Sequence, residues 1–248
     1  MRDPVREPSD IETTVVRFSK IEDPNPRDGI LREALATWSA QDLVELFLEL
    51  TASIQRVTHR AVYITLMRVL VTGNPIPEAV RQEVYSLAAA RDRRDAVRIL
   101  LPVPPVRRAH DDQLRVDPGI GEMPLGVQKW KARSRDPDLL SRLALVPHPD
   151  VVSIWLANPR TTEAEVMRVA ARRPAASVCL LEILRSNRWS SRSRLQEGLA
   201  QNPYLPSHVA AGLLHLLTTP LLEQVARSGV LHALVRETAT EIVDRRSR

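Results

Sequence analysis

Apolar residues recur at helical spacing through most of the chain from about residue 28 onward. The first stripe consists of Ile30, Leu31, Ala34, Leu35 and Trp38. Spacings of this kind place apolar side chains on one face of an α-helix. Further apolar stripes predict helices over residues 43–50, 54–71, 77–90 and 92–101. Residues 27–101 are therefore predicted to be an N-terminal helical region.

Polar and special residues stand where these helices would begin and end. Ser39 and Asp92 are suited to the N-cap position, and Pro77 to the first turn of a helix. Gly73 follows an apolar run and is expected to take the left-handed conformation that often ends a helix. These residues predict short connections between consecutive helices.

The second half of the chain shows the same alternation of short apolar runs and breaks. Thr162 and Glu165 have the spacing of a capping box, His148 precedes a helix start, and Pro174 must end the helix before it. The predicted helices cover residues 124–134, 136–146, 149–157, 163–173, 175–185, 191–201, 206–217, 220–228 and 230–243. The resulting fold class is all-α.

Asn-Pro pairs interrupt the helical pattern at three places. Asn158-Pro159 and Asn202-Pro203 lie 44 positions apart, and Asn74-Pro75 lies 84 positions before the first of them. Proline moves the preceding residue out of the helical region, and asparagine tolerates turn geometry. Each pair is therefore predicted to form a corner between antiparallel helices. A period near 40–47 residues is typical of stacked helical hairpins, which predicts an α-solenoid. Its stacked core is predicted to contain Leu156, Val166, Val169, Leu199 and Leu213.

Two segments depart from the helical pattern. Residues 1–26 contain prolines and many charges, and they predict a mobile N-terminal arm with one short extended piece at residues 15–18 that docks on the body. Residues 102–123 hold four prolines and two glycines without a sustained period, and they predict a linker. The linker would separate the helical region of residues 27–101 from helical repeats over residues 124–243.

Residues 124–217 resemble an uncharacterised group of bacterial helical-repeat proteins akin to HEAT repeats and the leucine-rich-repeat variant. The residues that carry the resemblance are Leu125–Lys129, Asp136–Leu143, His148–Val152, Asn158–Glu163, Ala170–Pro174 and Asn202–Tyr204. The resemblance implies a HEAT-like stack of helices and brings no catalytic residues with it.

The amino-acid composition indicates which residue types form the core and where positive charge is concentrated. Aromatic residues make up only 4% of the chain, so the core must be mainly aliphatic, with Trp130 and Trp155 expected inside it. The formal net charge is +5, yet residues 129–194 carry 13 basic and 6 acidic side chains. The positive charge is therefore concentrated in the predicted repeats.

Arginine and an adjacent tryptophan mark the candidate binding surface within this basic segment. Arginine suits recognition of phosphates and carboxylates, and both residue types are enriched in binding hot spots. The predicted partner-binding residues are Arg168, Arg172, Arg173, Arg188, Trp189, Arg192 and Arg194. The alternative is that these arginines lie in solvent and complement helix dipoles near helix ends.

No residue pattern in the sequence predicts catalysis, a metal site or a cofactor. His208 and His215 are seven positions apart without a third ligand, and His110 stands beside two aspartates in the linker. Glu163 and Glu165 are too close in sequence to face each other on a helix. Cys179 lies in an apolar run, where a buried thiol is the expected role.

The sequence therefore favours a non-enzymatic scaffold that binds another protein, with an acidic surface as the expected complement. A nucleic-acid binder that uses the basic surface of residues 129–194 is the alternative, and a HEAT-like DNA glycosylase is a third hypothesis. The N-terminus lacks the apolar segment of a signal peptide, and no stretch is apolar enough to span a membrane. The expected location is the cytoplasm.

Overall fold

A computed structural model describes residues 11–114 and 116–248. These residues form sixteen α-helices, with three short 3₁₀ helices and no strand among them, which confirms the all-α prediction. The first half contains α1 (Ile11–Ser19), α2 (Pro24–Thr37), α3 (Ala40–Ala52), α4 (Val57–Thr72), α5 (Glu78–Ala90) and α6 (Arg94–Val97). The second half contains α7 (Pro118–Gly121), α8 (Leu125–Lys131), α9 (Pro137–Leu143), α10 (Pro149–Ala157), α11 (Glu163–Ala171), α12 (Ser177–Arg185), α13 (Ser193–Ala200), α14 (Ser207–Leu213), α15 (Thr219–Ala226) and α16 (Ala233–Arg246). The 3₁₀ helices are Arg98–Leu100, Asp111–Gln113 and Leu214–Leu216.

The segment predicted to be the N-terminal arm contains helix α1. Val15 and Phe18 are buried, α1 packs on α3 and α4, and the ring of Phe18 stacks on Trp38 with centroids 6.2 Å apart. The three-residue step between Val15 and Phe18 suits one face of a helix, so the prediction of an extended piece is wrong in its conformation. Residues 1–10 of the predicted arm lie outside the described residues.

The predicted helix ends are partly confirmed. The Ser39 hydroxyl accepts a hydrogen bond from the main-chain N–H of Asp42, and Thr162 and Glu165 form the capping box. Gly73 follows α4 with φ of 163°, which is extended backbone, so the predicted left-handed ending is wrong. Asp92 does not cap α6, because Arg93 is its N-cap and Asp92 itself has φ of 53°.

The Asn-Pro pairs lie at inter-helix corners, as predicted. Asn74-Pro75 connects α4 to α5, Asn158-Pro159 connects α10 to α11, and Asn202-Pro203 connects α13 to α14. The 44 positions between the last two corners hold three helices, α11, α12 and α13. The interval is therefore longer than one helical hairpin, and its interpretation as a two-helix period is wrong.

Helices of the second half contact the second helix along the chain as well as the next one. Helix α10 contacts α8 and α12, and α11 contacts both α12 and α13. The predicted core residues of this part are buried, with at most 5% of each side chain exposed: Leu156, Val166, Val169, Leu199 and Leu213. Trp155 is fully buried as expected.

The two halves of the chain share one hydrophobic core. Helix α4 contacts α12 and α14, and the hydroxyl of Tyr63 donates a hydrogen bond of 2.8 Å to the carbonyl oxygen of Gly212. Part of the segment predicted as the linker lies against the second half, since the main-chain N–H of Ser207 bonds to the carbonyl oxygen of Val103. Residues 102–123 thus connect halves that pack directly on each other.

Among the described helices, none has both the length and the apolar content that crossing a bilayer requires.

Candidate functional site

Buried asparagines hold the corners of the second half together. The side-chain amide nitrogen of Asn158 donates to the carbonyl oxygens of Ala132 and Ser134, at 2.9 and 2.8 Å. Its side-chain oxygen accepts from the main-chain N–H of Arg160 at 2.9 Å. Asn158 therefore fixes its own turn and ties the end of α10 to the end of α8.

Asn202 repeats this arrangement at the end of α13. Its amide nitrogen donates to the carbonyl oxygens of Ala170 and Arg172, and its oxygen accepts from the N–H of Tyr204. Both asparagines bond to the end of the second helix before their own. These contacts satisfy carbonyl groups left free at helix ends, so the Asn-Pro corners have a structural role.

Arg188 and Trp189 also stabilise the Asn158-Pro159 corner through hydrogen bonds to main-chain carbonyl groups. Arg188 donates to the carbonyl oxygens of Asn158 and Thr161 at 2.7 and 2.9 Å, and its guanidinium lies 4.3 Å from the centre of the Trp189 ring. Trp189 is 3% exposed, and its indole N–H donates to the carbonyl oxygen of Leu156. The expectation that Trp189 lies on the binding surface is therefore wrong, because packing against α10 buries its ring.

Arg172 and Arg173 also contact main-chain carbonyl groups at helix ends. Arg172 is half-buried and donates to Leu145, and burial lowers the pKa of its guanidinium. Arg173 is exposed and donates to Gln201 at 2.7 Å. These contacts join the end of α11 to the ends of α9 and α13, and they leave fewer N–H groups of each guanidinium for a partner.

The remaining predicted arginines meet at a groove between α11 and α13, which we name the α11–α13 groove. Its volume is about 680 Å³, and its lining residues are Glu163, Ala164, Met167, Arg168, Ala171, Arg194 and Glu197. Arg192 lies beside it, with its Nε atom 4.0 Å from a carboxylate oxygen of Glu163. The structure therefore brings together Arg168, Arg192 and Arg194 out of the seven predicted residues.

The groove has an apolar part and a mixed-charge part. Ala164, Met167 and Ala171 supply the apolar surface of α11, and Gly198 of α13 lies directly against Met167. A Cβ atom at Gly198 would stand 2.8 Å from the terminal methyl group of Met167. The missing side chain of Gly198 thus allows the close approach of Met167. The sequence gives no signal for this contact, because residues on two separate helices form it.

A second cluster of charged residues lies around buried Asp95 at the start of α6. The Asp95 carboxylate accepts from Arg93 at 3.1 Å and from Arg245 of α16 at 3.3 Å. His215 is buried beside it, with Nε2 3.1 Å from the carbonyl oxygen of Asp95, and burial lowers the pKa of His215 to about 4. Sequence reasoning missed this cluster because its members are up to 152 positions apart; the one local signal was a charged residue, Asp95, directly before the apolar pair Ala96-Val97.

The other candidates from the sequence lie apart. His208 is within 3.1 Å of main-chain atoms of Val103, whereas His215 faces Asp95. Cys179 is buried with its sulfur 3.7 Å from the carbonyl oxygen of Val146, and burial raises its pKa to about 12. In residues 11–114 and 116–248, no three His, Cys, Asp or Glu side chains come together in a way that could hold a metal ion.

Trp130 contradicts the expectation that it packs in the core. Its side chain is 71% exposed on α8, where Leu125 and Val127 are also partly exposed. Helix α8 contacts α9 and α10, and these contacts leave the Trp130 side chain exposed.

Comparison of the chain with protein-family models, with curated proteins and with solved structures finds no match.

Proposed function

We propose that the protein is a non-enzymatic helical-repeat scaffold that binds a protein partner in the α11–α13 groove. The observation that carries the proposal is the combination of the apolar surface of Met167 with Arg168 and Arg194 in one groove of about 680 Å³. Arginines around an apolar centre are characteristic of protein interfaces.

The packing of the short helices supports a HEAT-like scaffold. Contacts of α10 with α8 and α12, and of α11 with α13, are those that two adjacent rows of alternating helices would make. Stacks of this kind present long surfaces on which partners bind. In this interpretation the buried asparagines keep the rows in register, and the groove lies between two helices of one row.

The lining of the groove indicates the chemistry of the partner. Arg168 and Arg194 suit acidic side chains, while Glu163 and Glu197 line the same space and disfavour a uniformly acidic ligand. We therefore propose a segment that inserts an apolar side chain against Met167 and pairs one or two acidic residues with the arginines. Arg192 adds a further exposed positive charge beside the groove, 4.0 Å from Glu163.

Nucleic-acid binding is the second candidate function, and the excess of basic residues between positions 129 and 194 favours it. A phosphate backbone is bound by many arginines on one surface. Here Arg172, Arg173 and Arg188 contact carbonyl groups, and the two glutamates of the groove would repel phosphates. These contacts favour the protein partner over the nucleic acid.

Reversal of the groove charges tests the proposal. The full-length chain and the double variant Arg168→Glu/Arg194→Glu would be used as baits in an extract of the native host, with mass spectrometry as the readout. The matched control is Arg227→Glu/Arg236→Glu, which makes the same change of net charge at exposed positions outside the groove. We expect a protein that the wild type and the control retain and that the groove variant loses.

Direct binding measurements complete the test. The retained protein would be purified and titrated against all three chains, and the groove variant should bind roughly tenfold or more weakly. Equal affinity of the groove variant would overturn the proposal. A salt series with non-specific duplex DNA tests the second function, since phosphate contacts weaken steeply with salt. If the chain binds duplex DNA with this steep salt dependence and retains no protein partner, the nucleic-acid proposal would replace the scaffold proposal.

A further inference from the structure

A cavity of about 330 Å³ lies between the end of α3, the start of α6, the 3₁₀ helix Leu214–Leu216 and the last turns of α16. It is independent of the α11–α13 groove and shares no residue with it. Its lining residues are Thr51, Ala52, Ile54, Gln55, Arg93, Asp95, His215, Ile242, Arg245 and Arg246. Four separate elements of the fold therefore meet at one cavity, whose lining combines charged and apolar side chains.

Positive charge exceeds negative charge in this cavity. Three guanidinium groups, those of Arg93, Arg245 and Arg246, line it together with one carboxylate, that of Asp95. The nearby carboxylate of Glu241 is hydrogen-bonded to Arg98, which does not line the cavity. Three guanidinium groups against one carboxylate give the lining an excess of two positive charges, although Asp95 pairs with both Arg93 and Arg245.

The three arginines keep unused hydrogen-bond donors. Arg93 bonds to Asp95 and Thr51 through Nε and one terminal nitrogen, and Arg245 uses only one terminal nitrogen. Arg246 donates to the carbonyl oxygens of Leu217 and His215, and its Nε has no protein partner among the described residues. A guanidinium has five N–H groups, so several donors in this cavity are available for a ligand.

The environment of Arg246 disfavours its positive charge, in part through Arg60 of α4, which does not line the cavity. Burial lowers the pKa of Arg246 first, and the positive charge of Arg60 lowers it further. An anion beside Arg246 in the cavity would oppose both effects, because it would compensate the lost hydration and the repulsion. Arginine is suited to this task, since its planar fork matches the oxygens of phosphate.

We propose that this cavity binds a phosphate group, carried by inorganic phosphate or by a small phosphate ester. Arg93, Arg245 and Arg246 contact the phosphate oxygens, and the exposed amide of Gln55 lies at the rim for a further hydrogen bond. Asp95 keeps Arg93 and Arg245 in position through its ion pairs. The volume of about 330 Å³ leaves room for the organic part of an ester.

The test uses the full chain with inorganic phosphate and with ribose 5-phosphate as probes. Isothermal titration calorimetry at constant ionic strength, with chloride as the replaced anion, measures the affinity. We expect saturable binding of at least one probe. Arg245→Gln should weaken it roughly tenfold or more, because a charged hydrogen-bond donor is lost. The control Arg236→Gln changes an exposed arginine on the same helix outside the cavity and should bind like the wild type.

A second variant keeps the test valid if Arg245→Gln disturbs folding. Gln55→Glu adds a negative charge at the rim without removing an ion pair of Asp95, and it should also weaken binding. Tighter binding of ribose 5-phosphate than of inorganic phosphate identifies an ester as the ligand, whereas equal affinity identifies free phosphate. Absence of saturable binding by either probe, or unchanged affinity in a folded Arg245→Gln or Gln55→Glu variant, overturns the proposal.

Discussion

At the residue scale, each buried asparagine stabilises a corner between helices, whereas the proline after it only interrupts the helix. Asn202 is 1% exposed and donates to two carbonyl oxygens at the end of α11. Proline ends a helix, but it cannot satisfy the carbonyl groups of a neighbouring helix. The amide of Asn202 does both, because it forms its own turn and bonds to the end of α11.

We predict that Asn202→Ala lowers the free energy of unfolding by roughly 2–4 kcal/mol, since it leaves buried carbonyl groups unpaired. Urea denaturation followed by circular dichroism measures the change. Asn187→Ala is the control, because Asn187 is exposed and its side-chain amide bonds only to the Asn25 side chain at 3.3 Å. Equal stabilities of the two variants would show that the corner does not depend on the buried amide.

His215 should make stability depend on pH. Burial lowers its pKa in the folded protein to about 4, whereas the ordinary value is 6.5. Between these values the unfolded chain binds a proton that the folded chain does not, so stability falls as the pH decreases through this range. Urea denaturation at several pH values measures the slope. His215→Gln should show a shallower slope between pH 6.5 and 4, and an unchanged slope would assign the dependence to other groups.

Cys179 should be unreactive in the folded protein. Burial raises the pKa of its thiol to about 12, and the thiolate is the form that reacts. We predict that Ellman's reagent modifies Cys179 at pH 8 only after denaturant unfolds the chain. Rapid modification without denaturant would mean that the region around α12 opens readily.

At the scale of the element, the helices of the second half are too short to be stable alone. Helices α8 to α15 have seven to nine residues each, whereas isolated helices below about 12–15 residues are marginal in water. Packing must therefore supply their stability, which depends on the residues that face neighbouring helices. Leu156 of α10 is such a residue, with 1% of its side chain exposed.

We predict that Leu156→Ala lowers the free energy of unfolding by about 2–5 kcal/mol, the usual range for a buried leucine. Thermal unfolding followed by circular dichroism measures the shift of the midpoint. The control is Leu125→Ala on α8, where 39% of the leucine is exposed, and its midpoint should shift much less. An unchanged midpoint for Leu156→Ala would contradict the assignment of this face to the core.

At the scale of the whole molecule, Gly212 is a point of close contact between the two halves. A Cβ atom there would lie 2.8 Å from both the sulfur and the terminal methyl group of Met67, and 3.0 Å from the Cδ1 atom of Ile99. Tyr63 donates to the carbonyl oxygen of the same glycine. A side chain at position 212 would therefore have to displace the ends of the Met67 and Ile99 side chains.

We predict that Gly212→Val destabilises both halves together, because one core extends through them. Overpacking of this kind typically costs about 1–3 kcal/mol. Urea unfolding would be followed by tryptophan fluorescence and by circular dichroism, and both signals should shift by the same amount in a single transition. Two separate transitions, with only one of them shifted, would show that the halves unfold independently.

Local patterns in the sequence determined the helical class, the positions of the Asn-Pro corners and the burial of residues such as Leu156 and Val166. These features depend on the 3.6-residue period and on the effect of proline on its neighbours, which act within a few positions. The spacing of the Asn-Pro pairs does not give the number of helices between them, because Asn-Pro occurs at only some of the corners. The others use different residues, such as Asp136 before α9.

Only the tertiary structure decided which charged residues share a surface. It separated Arg168, Arg192 and Arg194 from Arg172, Arg173 and Arg188, whose guanidiniums contact carbonyl groups. In the folded chain Trp189 is buried and Trp130 is exposed. Arg93 and Arg245, which are far apart in the sequence, line the same cavity. The sequence around an arginine or tryptophan shows the same helical pattern whether the side chain is exposed or packed. The difference comes from helices that are distant in the sequence. The physical reason is that helix period acts locally, whereas burial and charge pairing depend on how the helices pack.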